Sequence, residues 1–242
     1  MPSLGQNSKS KEFIMNHKVL IVLTSHDKLG DTGNKTGFWL EELAAPYYVF
    51  KDANIDITIA SPKGGQPPLD PKSDDPSMQT NATKRFKTDQ EANKQLSQSL
   101  KLSDLNESDY DAIFYPGGHG PLWDLVSDEN SIRLIKDFWN AGKPVSAVCH
   151  APIVLANVKD SSGEFIIKGL EVTGFTNSEE DAVQLTNIVP LLVEDTMIDR
   201  GAKYLKSSDW SVHTIQDKNL ITGQNPASSE EVANLVLKAL TK

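Results

Sequence analysis

The sequence has very little cysteine and fewer basic than acidic residues. Cysteine occurs once in 242 residues, which excludes an internal disulfide framework. The 24 Lys and Arg residues are outnumbered by 33 Asp and Glu residues, which gives a formal net charge of −9. That charge argues against a broad basic surface for nucleic acid and against attraction to anionic membranes.

Long apolar runs are also missing. No segment approaches the roughly 20 apolar residues that span a bilayer. The first residues, MPSLGQNSKSKEF, lack the apolar centre of a signal peptide. We therefore expect residues 1–16 to form a flexible leader and residues 17–242 to form a single α/β domain. With the lone cysteine, these features predict a cytoplasmic protein.

Two common kinds of binding motif are absent as well. Neither GK[ST] nor GxGxxG occurs, so the glycine-rich turn at 117–120 is not a phosphate-binding loop. His17, His26 and His213 are scattered and lack the spacing of metal ligands. The sequence therefore predicts no metal site.

Strand-like and helix-like segments alternate along the chain. Apolar or alternating runs predict strands at 18–25, 55–61, 111–118 and 143–148. Amphipathic or polar patterns predict helices at 38–53, 88–100, 131–142 and 229–240, the last capped by Ser228 or Ser229. Residues 62–84 are rich in Pro, Gly, Asp and Ser and predict a long surface loop. This alternation is typical of a mostly parallel sheet with helices on both faces, in which sites lie at the carboxyl ends of strands.

The only cysteine lies at such a strand end. Cys149 follows the apolar strand KPVSAV and precedes the apolar stretch APIVLANV, which we expect to be helical. A strand-to-helix turn would expose the thiol as a nucleophile elbow does, and the helix N-terminus would lower its pKa. The alternative is that Cys149 is a small buried hydrophobic residue. His150 is a candidate base, or a residue whose ring points away while its backbone N–H serves an oxyanion hole.

Five motifs, in this order, resemble the ThiJ/PfpI superfamily: YPGGHGPLWDL, KPVSAVCHAP, VTGFTNSEE, DRGAKYL and LITGQNPASS. The closest likeness is to its glyoxalase III branch, which includes heat-shock chaperones. The resemblance runs from about Lys18 to Leu240. It implies a flavodoxin-like, doubly wound α/β fold with a nucleophile elbow.

The resemblance also implies the site residues. Cys149 would be the nucleophile and His150 its partner, with Glu180 as the acidic third member and Glu179 as the alternative. Glu42, in TGFWLEE, would be a protonated carboxyl beside the thiol. The backbone of Gly118 and His150 would donate to an oxyanion, and His119 would lie at the rim of the pocket.

The activity implied is that of a glutathione-independent glyoxalase, which converts methylglyoxal and water to lactate. No metal or organic cofactor is expected, the expected partner is a small reactive dicarbonyl, and a homodimer is expected. Deglycation of early adducts would use the same site. The alternatives are a stress-induced holdase chaperone with Cys149 as a redox sensor, and a peptidase-like hydrolase of the same superfamily.

Overall fold

A seven-stranded sheet organises the chain in a computed structural model, which describes residues 16–241. The expected leader, residues 1–16, lies outside the described residues except for Asn16. The strands within residues 16–241 are β1 Lys18–Val22, β2 Asp56–Ser61, β3 Leu100–Lys101, β4 Ala112–Tyr115, β5 Val145–Val148, β6 Glu171–Val172, β7 Lys203–Tyr204, β8 Thr214–Asp217 and β9 Leu220–Gly223. The α-helices are α1 Leu40–Asp52, α2 Asn81–Thr88, α3 Gln90–Ser97, α4 Glu129–Asn140, α5 Asn177–Ala182, α6 Val193–Asp199 and α7 Ser229–Leu240.

The strand order of the large sheet is β3-β2-β1-β4-β5-β9-β8. Its pairs are parallel except for β8 and β9, which pair in antiparallel fashion. The central strands are buried on both faces, which explains why they read as continuous apolar runs rather than as alternating ones. The mostly parallel α/β fold that the sequence predicts is confirmed.

Helices cover the sheet. α1 and α7 pack against each other, α7 packs against β5 and β9, and α4 packs against β4 and β5. The strand order reverses between β1 and β4, so the right-handed crossovers through α1 and α4 lie on opposite faces. This reversal opens a crevice beyond the carboxyl ends of the central strands, where ligands bind in such folds.

Three local expectations need correction. The predicted loop at 62–84 contains short 3₁₀ turns at Pro71–Asp74 and Pro76–Met78 and the start of α2, because Thr80 forms a capping box with Thr83. The stretch after Cys149 is a 3₁₀ helix, Ala151–Leu155, rather than an α-helix. Ser228 precedes α7 without a side-chain cap, because its hydroxyl is bonded to other groups.

Among the helices within residues 16–241, none has both the length and the apolar character needed to cross a bilayer.

The turn after β4 brings the backbone of two segments into close contact. Gly118 has a φ of +92°, and a Cβ there would lie 2.2 Å from the carbonyl oxygen of Gly37 and 2.8 Å from the nitrogen of Trp39. Only glycine tolerates both the left-handed backbone and this approach. The turn that follows β4 is therefore fixed against the segment that leads into α1.

We predict that Gly118→Ala destabilises the protein strongly, because the added methyl group collides with backbone that cannot move aside. The expected loss is at least about 3 kcal/mol, or a fall in Tm of roughly 6–12 °C in calorimetry. Gly142→Ala is the matched control: Gly142 also has a positive φ, of +70°, but its Cβ would meet nothing within 4 Å. That change should cost only about 1–2 kcal/mol of backbone strain. Equal losses in the two variants would contradict the close contact at Gly118.

Candidate active site

Cys149 occupies a strained turn directly after β5. Its φ is +62°, a left-handed conformation that is unusual for a residue with a side chain. Its N–H donates to the carbonyl of Gly223 at 3.0 Å, and its own carbonyl accepts the N–H of Phe175 at 2.8 Å. These bonds hold the elbow that the sequence predicts, with the thiol at the bottom of a cavity and only 3% of the residue exposed.

A chain of hydrogen bonds leads from the thiol to a carboxylate. Sγ of Cys149 lies 3.3 Å from Nδ1 of His150, and Nε2 of His150 lies 2.6 Å from Oε2 of Glu180. All three residues are buried. The imidazole therefore lies between a thiol and a carboxylate, the arrangement in which a histidine can take a proton from a nucleophile.

His119 shares the same carboxylate. Its Nε2 lies 2.7 Å from Oε1 of Glu180, and its ring packs against that of His150 with centroids 3.9 Å apart and the planes tilted by 41°. His119 is 8% exposed, deeper than the rim position expected for it. Its Nδ1 has no partner among the described residues, and the side chain lines the cavity.

The electrostatics of this group favour one arrangement of protons. Burial alone would raise the pKa of Glu180, but the two imidazoles bonded to it lower that pKa well below its usual range. Burial and the neighbouring ring of His150 lower the pKa of His119, against the opposing effect of Glu180. An ionised carboxylate only accepts hydrogen bonds, so both Nε2 atoms carry the proton. The Nδ1 atoms lie on the other side of each ring, that of His150 facing the thiol and that of His119 facing the cavity.

The same three residues form a group of possible metal ligands. The donor atoms of His119, His150 and Glu180 lie within 4.8 Å of one another. However, each Nε2 is already bonded to one oxygen of Glu180, so neither offers a free lone pair to an ion. The other nitrogen of His150, Nδ1, faces the thiol of Cys149 at 3.3 Å. The geometry fits a hydrogen-bond network better than a metal centre.

Glu42 lies beside the thiol at the start of α1. Its Oε2 accepts the N–H of Gly117 at 2.6 Å, and its Oε1 has no partner. The position a Cβ of Gly117 would take is 2.6 Å from Glu42 Oε2 and 3.1 Å from Cys149 Cβ, so only glycine leaves room for this contact. Complete burial raises the pKa of Glu42 to about 8, although the N–H of Gly117 opposes the shift. The carboxyl is therefore protonated at neutral pH, as the sequence predicts.

The pKa of Cys149 departs from our expectation. Burial raises it well above its ordinary value, and the nearby carboxyls of Glu42, Glu179 and Glu180 raise it further. The expected lowering depended on a full α-helix after the cysteine, but a 3₁₀ helix of five residues follows instead. The prediction of a lowered thiol pKa is therefore wrong, and the resting state is a neutral thiol beside His150.

Two backbone N–H groups remain free near the thiol. Those of Gly118 and His150 have no acceptor among residues 16–241, and both residues line the cavity. Free N–H groups beside a nucleophile are the usual components of an oxyanion hole. The six residues proposed from the sequence, Cys149, His150, Glu180, Glu42, Gly118 and His119, thus all lie around one point.

Glu179 does not contact His150, unlike its neighbour. Its fully buried carboxylate accepts hydrogen bonds from the backbone of Trp210 and Thr176 and from the side-chain amides of Gln224 and Asn225, at 2.8–3.1 Å. Successive residues of α5 therefore place the carboxylate of Glu180 against the imidazoles and that of Glu179 against the cavity wall. This supporting role was not anticipated, although Gln224 and Asn225 belong to the motif LITGQNPASS.

Apolar side chains form the cavity walls. Phe175 packs on the ring of His150 with centroids 4.0 Å apart, and Trp210 lies edge-on to Phe175 at 5.8 Å. Neither Phe175 nor Trp210 was predicted from the sequence to line the site. Phe175 could have been noticed within the motif VTGFTNSEE, whereas Trp210 carries no pattern that distinguishes it from a surface residue.

A doubly wound α/β sheet with a cysteine at a strained strand-end turn defines a class of protein, and comparison with known proteins identifies the family. Residues 35–239 match the DJ-1/PfpI family. The chain belongs to that family, so the resemblance drawn from the five motifs is confirmed.

The curated relatives include proteins named as glyoxalases. Glyoxalase 3 of Candida albicans is 33% identical over 231 residues, which cover 92% of this chain and 98% of that protein. The glutathione-independent glyoxalase HSP31 of Saccharomyces cerevisiae is 31% identical over 232 residues, with 92% and 98% coverage.

Solved structures agree with the fold. The Rapid Encystment Protein 24 KDa of Francisella tularensis is 40% identical, with a TM-score of 0.89 over 93% of this chain and 99% of that one. Glyoxalase III from Candida albicans is 33% identical, with a TM-score of 0.85 over 92% and 97% of the two chains.

We predict that Glu42→Gln stabilises the protein increasingly as the pH rises. In the native state Glu42 keeps its proton up to about pH 8, whereas the unfolded chain releases it near pH 4.5. The wild type therefore loses stability as the pH rises between these values, and glutamine, which mimics the protonated form, does not. Thermal scans should give similar Tm values near pH 4.5 and a Tm higher by on the order of 10 °C for the variant at pH 9.

The control is Glu129→Gln, which removes an exposed negative charge from the first turn of α4. This control shows whether the loss of any negative charge raises the Tm at high pH, or only its loss at the buried position 42. A constant Tm difference between wild type and Glu42→Gln across this pH range would show that Glu42 is ionised in the native protein at neutral pH.

Proposed function

We propose that this protein is a glutathione-independent glyoxalase, which converts methylglyoxal and water to lactate. The observation that carries the proposal is the chain from Cys149 through His150 to Glu180, which opens beside two free N–H groups in one cavity. The names of the relatives from Candida albicans and Saccharomyces cerevisiae support it. The substrate class is a small reactive dicarbonyl.

The first step is attack of the thiol on the aldehyde carbon. A bond forms between Sγ of Cys149 and that carbon, and the thiol proton passes to Nδ1 of His150, 3.3 Å away. Because the resting thiol is neutral, proton transfer to the imidazole accompanies the attack. The N–H groups of Gly118 and His150 stabilise the oxygen as it gains charge, a contribution of about 3–4 kcal/mol for a well-placed donor. The proton then returns to that oxygen and gives a hemithioacetal.

The second step moves a proton between the two carbons. His150, neutral again, removes the proton from the former aldehyde carbon, which leaves an enediol-like state. The proton is then delivered to the neighbouring carbon, while the hydroxyl proton on the former aldehyde carbon passes to the ketone oxygen. The aldehyde carbon is thereby oxidised and the ketone carbon reduced without an external oxidant. Glu42, with a pKa of about 8, has both protonation states within reach and can donate to or exchange a proton with the substrate oxygen.

The last step is hydrolysis of the thioester formed on Cys149. Water attacks the carbonyl carbon, the bond to sulfur breaks, and lactate leaves as the thiol recovers its proton. His150, held by Glu180, is placed to assist the water. The second imidazole, His119, offers a free Nδ1 to the cavity as an acceptor for a substrate hydroxyl.

The proposal includes a cytoplasmic location, a homodimeric assembly and no cofactor. The single cysteine and the acidic net charge support the first of these. The homodimer and the absence of a cofactor requirement derive from the family resemblance.

We predict that the purified protein forms lactate from methylglyoxal in the absence of glutathione. Cys149→Ala should lower turnover by at least about 10³-fold, because no other thiol lines the cavity among the described residues and the hydroxyl of Thr80 is bonded to Glu41. Lactate is measured with a coupled assay, with and without added glutathione. A strict requirement for glutathione, or full turnover by Cys149→Ala, would rule out this mechanism.

We predict that Glu180→Gln lowers turnover by on the order of 10²–10⁴-fold. The amide nitrogen must face one of the two Nε2 atoms, which forces that ring into the other tautomer or leaves two donors in contact. The matched control is Asp181→Asn, the next residue on α5, whose side chain is exposed. It should retain full activity, and comparable losses in the two variants would mean that the charge of α5, not its contact with the imidazoles, matters.

A further inference from the structure

The site cavity is much larger than the substrate of the proposed function. Its volume is about 540 Å³. Methylglyoxal has about five non-hydrogen atoms and occupies roughly 150 Å³ if each takes the liquid share of a water molecule, about 30 Å³. Cavities of several hundred Å³ are the size class of larger organic ligands. Most of this volume lies beyond the reach of a methyl group.

The additional space has apolar walls. The side chains that form them are Trp39, Met78, Phe175, Val183, Trp210 and Pro226. Trp210 and Met78 are 47% and 42% exposed at the mouth. An apolar substituent bound there would shield both side chains from water. The free energy of binding would become more favourable by about 25 cal/mol for each Å² of apolar surface buried.

The aromatic rings form a continuous series from the site to the surface. The ring of Phe175 packs on the imidazole of His150, and Trp210 lies next to Phe175. A flat group attached to a carbonyl on Cys149 would therefore meet aromatic faces and edges, the contacts that aromatic rings prefer.

This wall is held in place before any ligand arrives. The N–H of Trp210 donates to Glu179 at 2.8 Å, with Trp210 itself at a φ of +63°. The preceding residues are fixed too, since Ser178 donates to Asp209 at 2.6 Å and the N–H of Ser207 donates to Gln224 at 2.9 Å. Because this wall is already ordered, less conformational entropy is lost when a ligand binds against it.

The charge of the cavity adds a second restriction. Among the described residues that line it there is no lysine or arginine, and Glu41 lies at its edge, bonded to the hydroxyl of Thr80 at 2.5 Å. A negatively charged substituent would find no cation there and would face a carboxyl group. A neutral substituent meets no such opposition.

We propose that the preferred substrates are 2-oxoaldehydes with a neutral aromatic or bulky apolar substituent, bound along Phe175 and Trp210. This inference rests on the proposed glyoxalase function. It assigns to Glu179 the task of positioning the wall that selects these substrates, and it makes methylglyoxal a substrate that fills only part of the site.

The test compares phenylglyoxal with methylglyoxal in wild type, Trp210→Ala and Val212→Ala. In wild type, kcat/KM should be at least about ten-fold higher for phenylglyoxal, and Trp210→Ala should lower that ratio roughly ten-fold. The alanine keeps the backbone N–H that bonds Glu179. Val212→Ala is the matched control on the same segment: Val212 is 59% exposed and lies outside the cavity lining, so the ratio should not change.

A second measurement does not depend on turnover. Acetophenone and 4-acetylbenzoate carry the same ring, neutral in one and negatively charged in the other. Calorimetry should show that acetophenone binds wild type at least about ten-fold more tightly than 4-acetylbenzoate does, and that Trp210→Ala loses most of the acetophenone affinity.

The outcomes separate the inference from the proposed function. Turnover of methylglyoxal with a phenylglyoxal ratio near one, or a ratio unaffected by Trp210→Ala, would overturn the substrate class and leave the glyoxalase function standing. Trp210-dependent binding of acetophenone without turnover of either aldehyde would support the aromatic subsite and overturn the glyoxalase chemistry. Tighter binding of 4-acetylbenzoate would contradict the charge argument.

Discussion

The buried carboxylate of Glu180, shared by two imidazole rings, is the interaction on which the rest of the site depends. One oxygen accepts from His150 and the other from His119, so one ionised group sets the tautomer of both rings. A carboxylate in a buried position is tolerated only when its oxygens are paired in this way. The position of α5 next to the turns after β4 and β5 therefore determines whether His150 is held beside the thiol as a base.

A second consequence concerns how the nucleophile is activated. The thiol is buried among carboxyls, which raises its pKa, and a carboxyl with a pKa of about 8 lies next to it. A preformed thiolate would place a second buried negative charge near the ionised Glu180. A neutral thiol that transfers its proton to His150 during attack avoids that charge, and the oxyanion donors then stabilise the charge that appears on substrate oxygen. The site resembles a serine triad in its proton transfers more than a thiolate–imidazolium pair.

Much of this arrangement could be predicted from the sequence, for physical reasons that differ between its parts. Central strands such as β1 are buried on both faces and so read as apolar runs, and the motifs placed Cys149 at a strand end. The left-handed turn and the 3₁₀ helix after it could not be predicted, because they depend on tertiary bonds to Gly223 and Phe175. The position of Trp210 in the cavity wall could not be predicted either, because it is fixed by the carboxylate of Glu179, 31 residues away in the sequence.

The site depends on a neutral resting thiol and on a proton that Glu180 holds at Nε2 of both imidazoles. Long-range ¹H–¹⁵N correlation spectra of protein labelled in its histidine rings test it most directly, with His150→Gln and His119→Gln assigning the signals. We expect that, at neutral pH, Nε2 of both rings carries a proton and the thiol of Cys149 is neutral. An Nε2 atom without its proton on either ring, or a thiolate detected as an ultraviolet absorbance that Cys149→Ala removes, would contradict this arrangement.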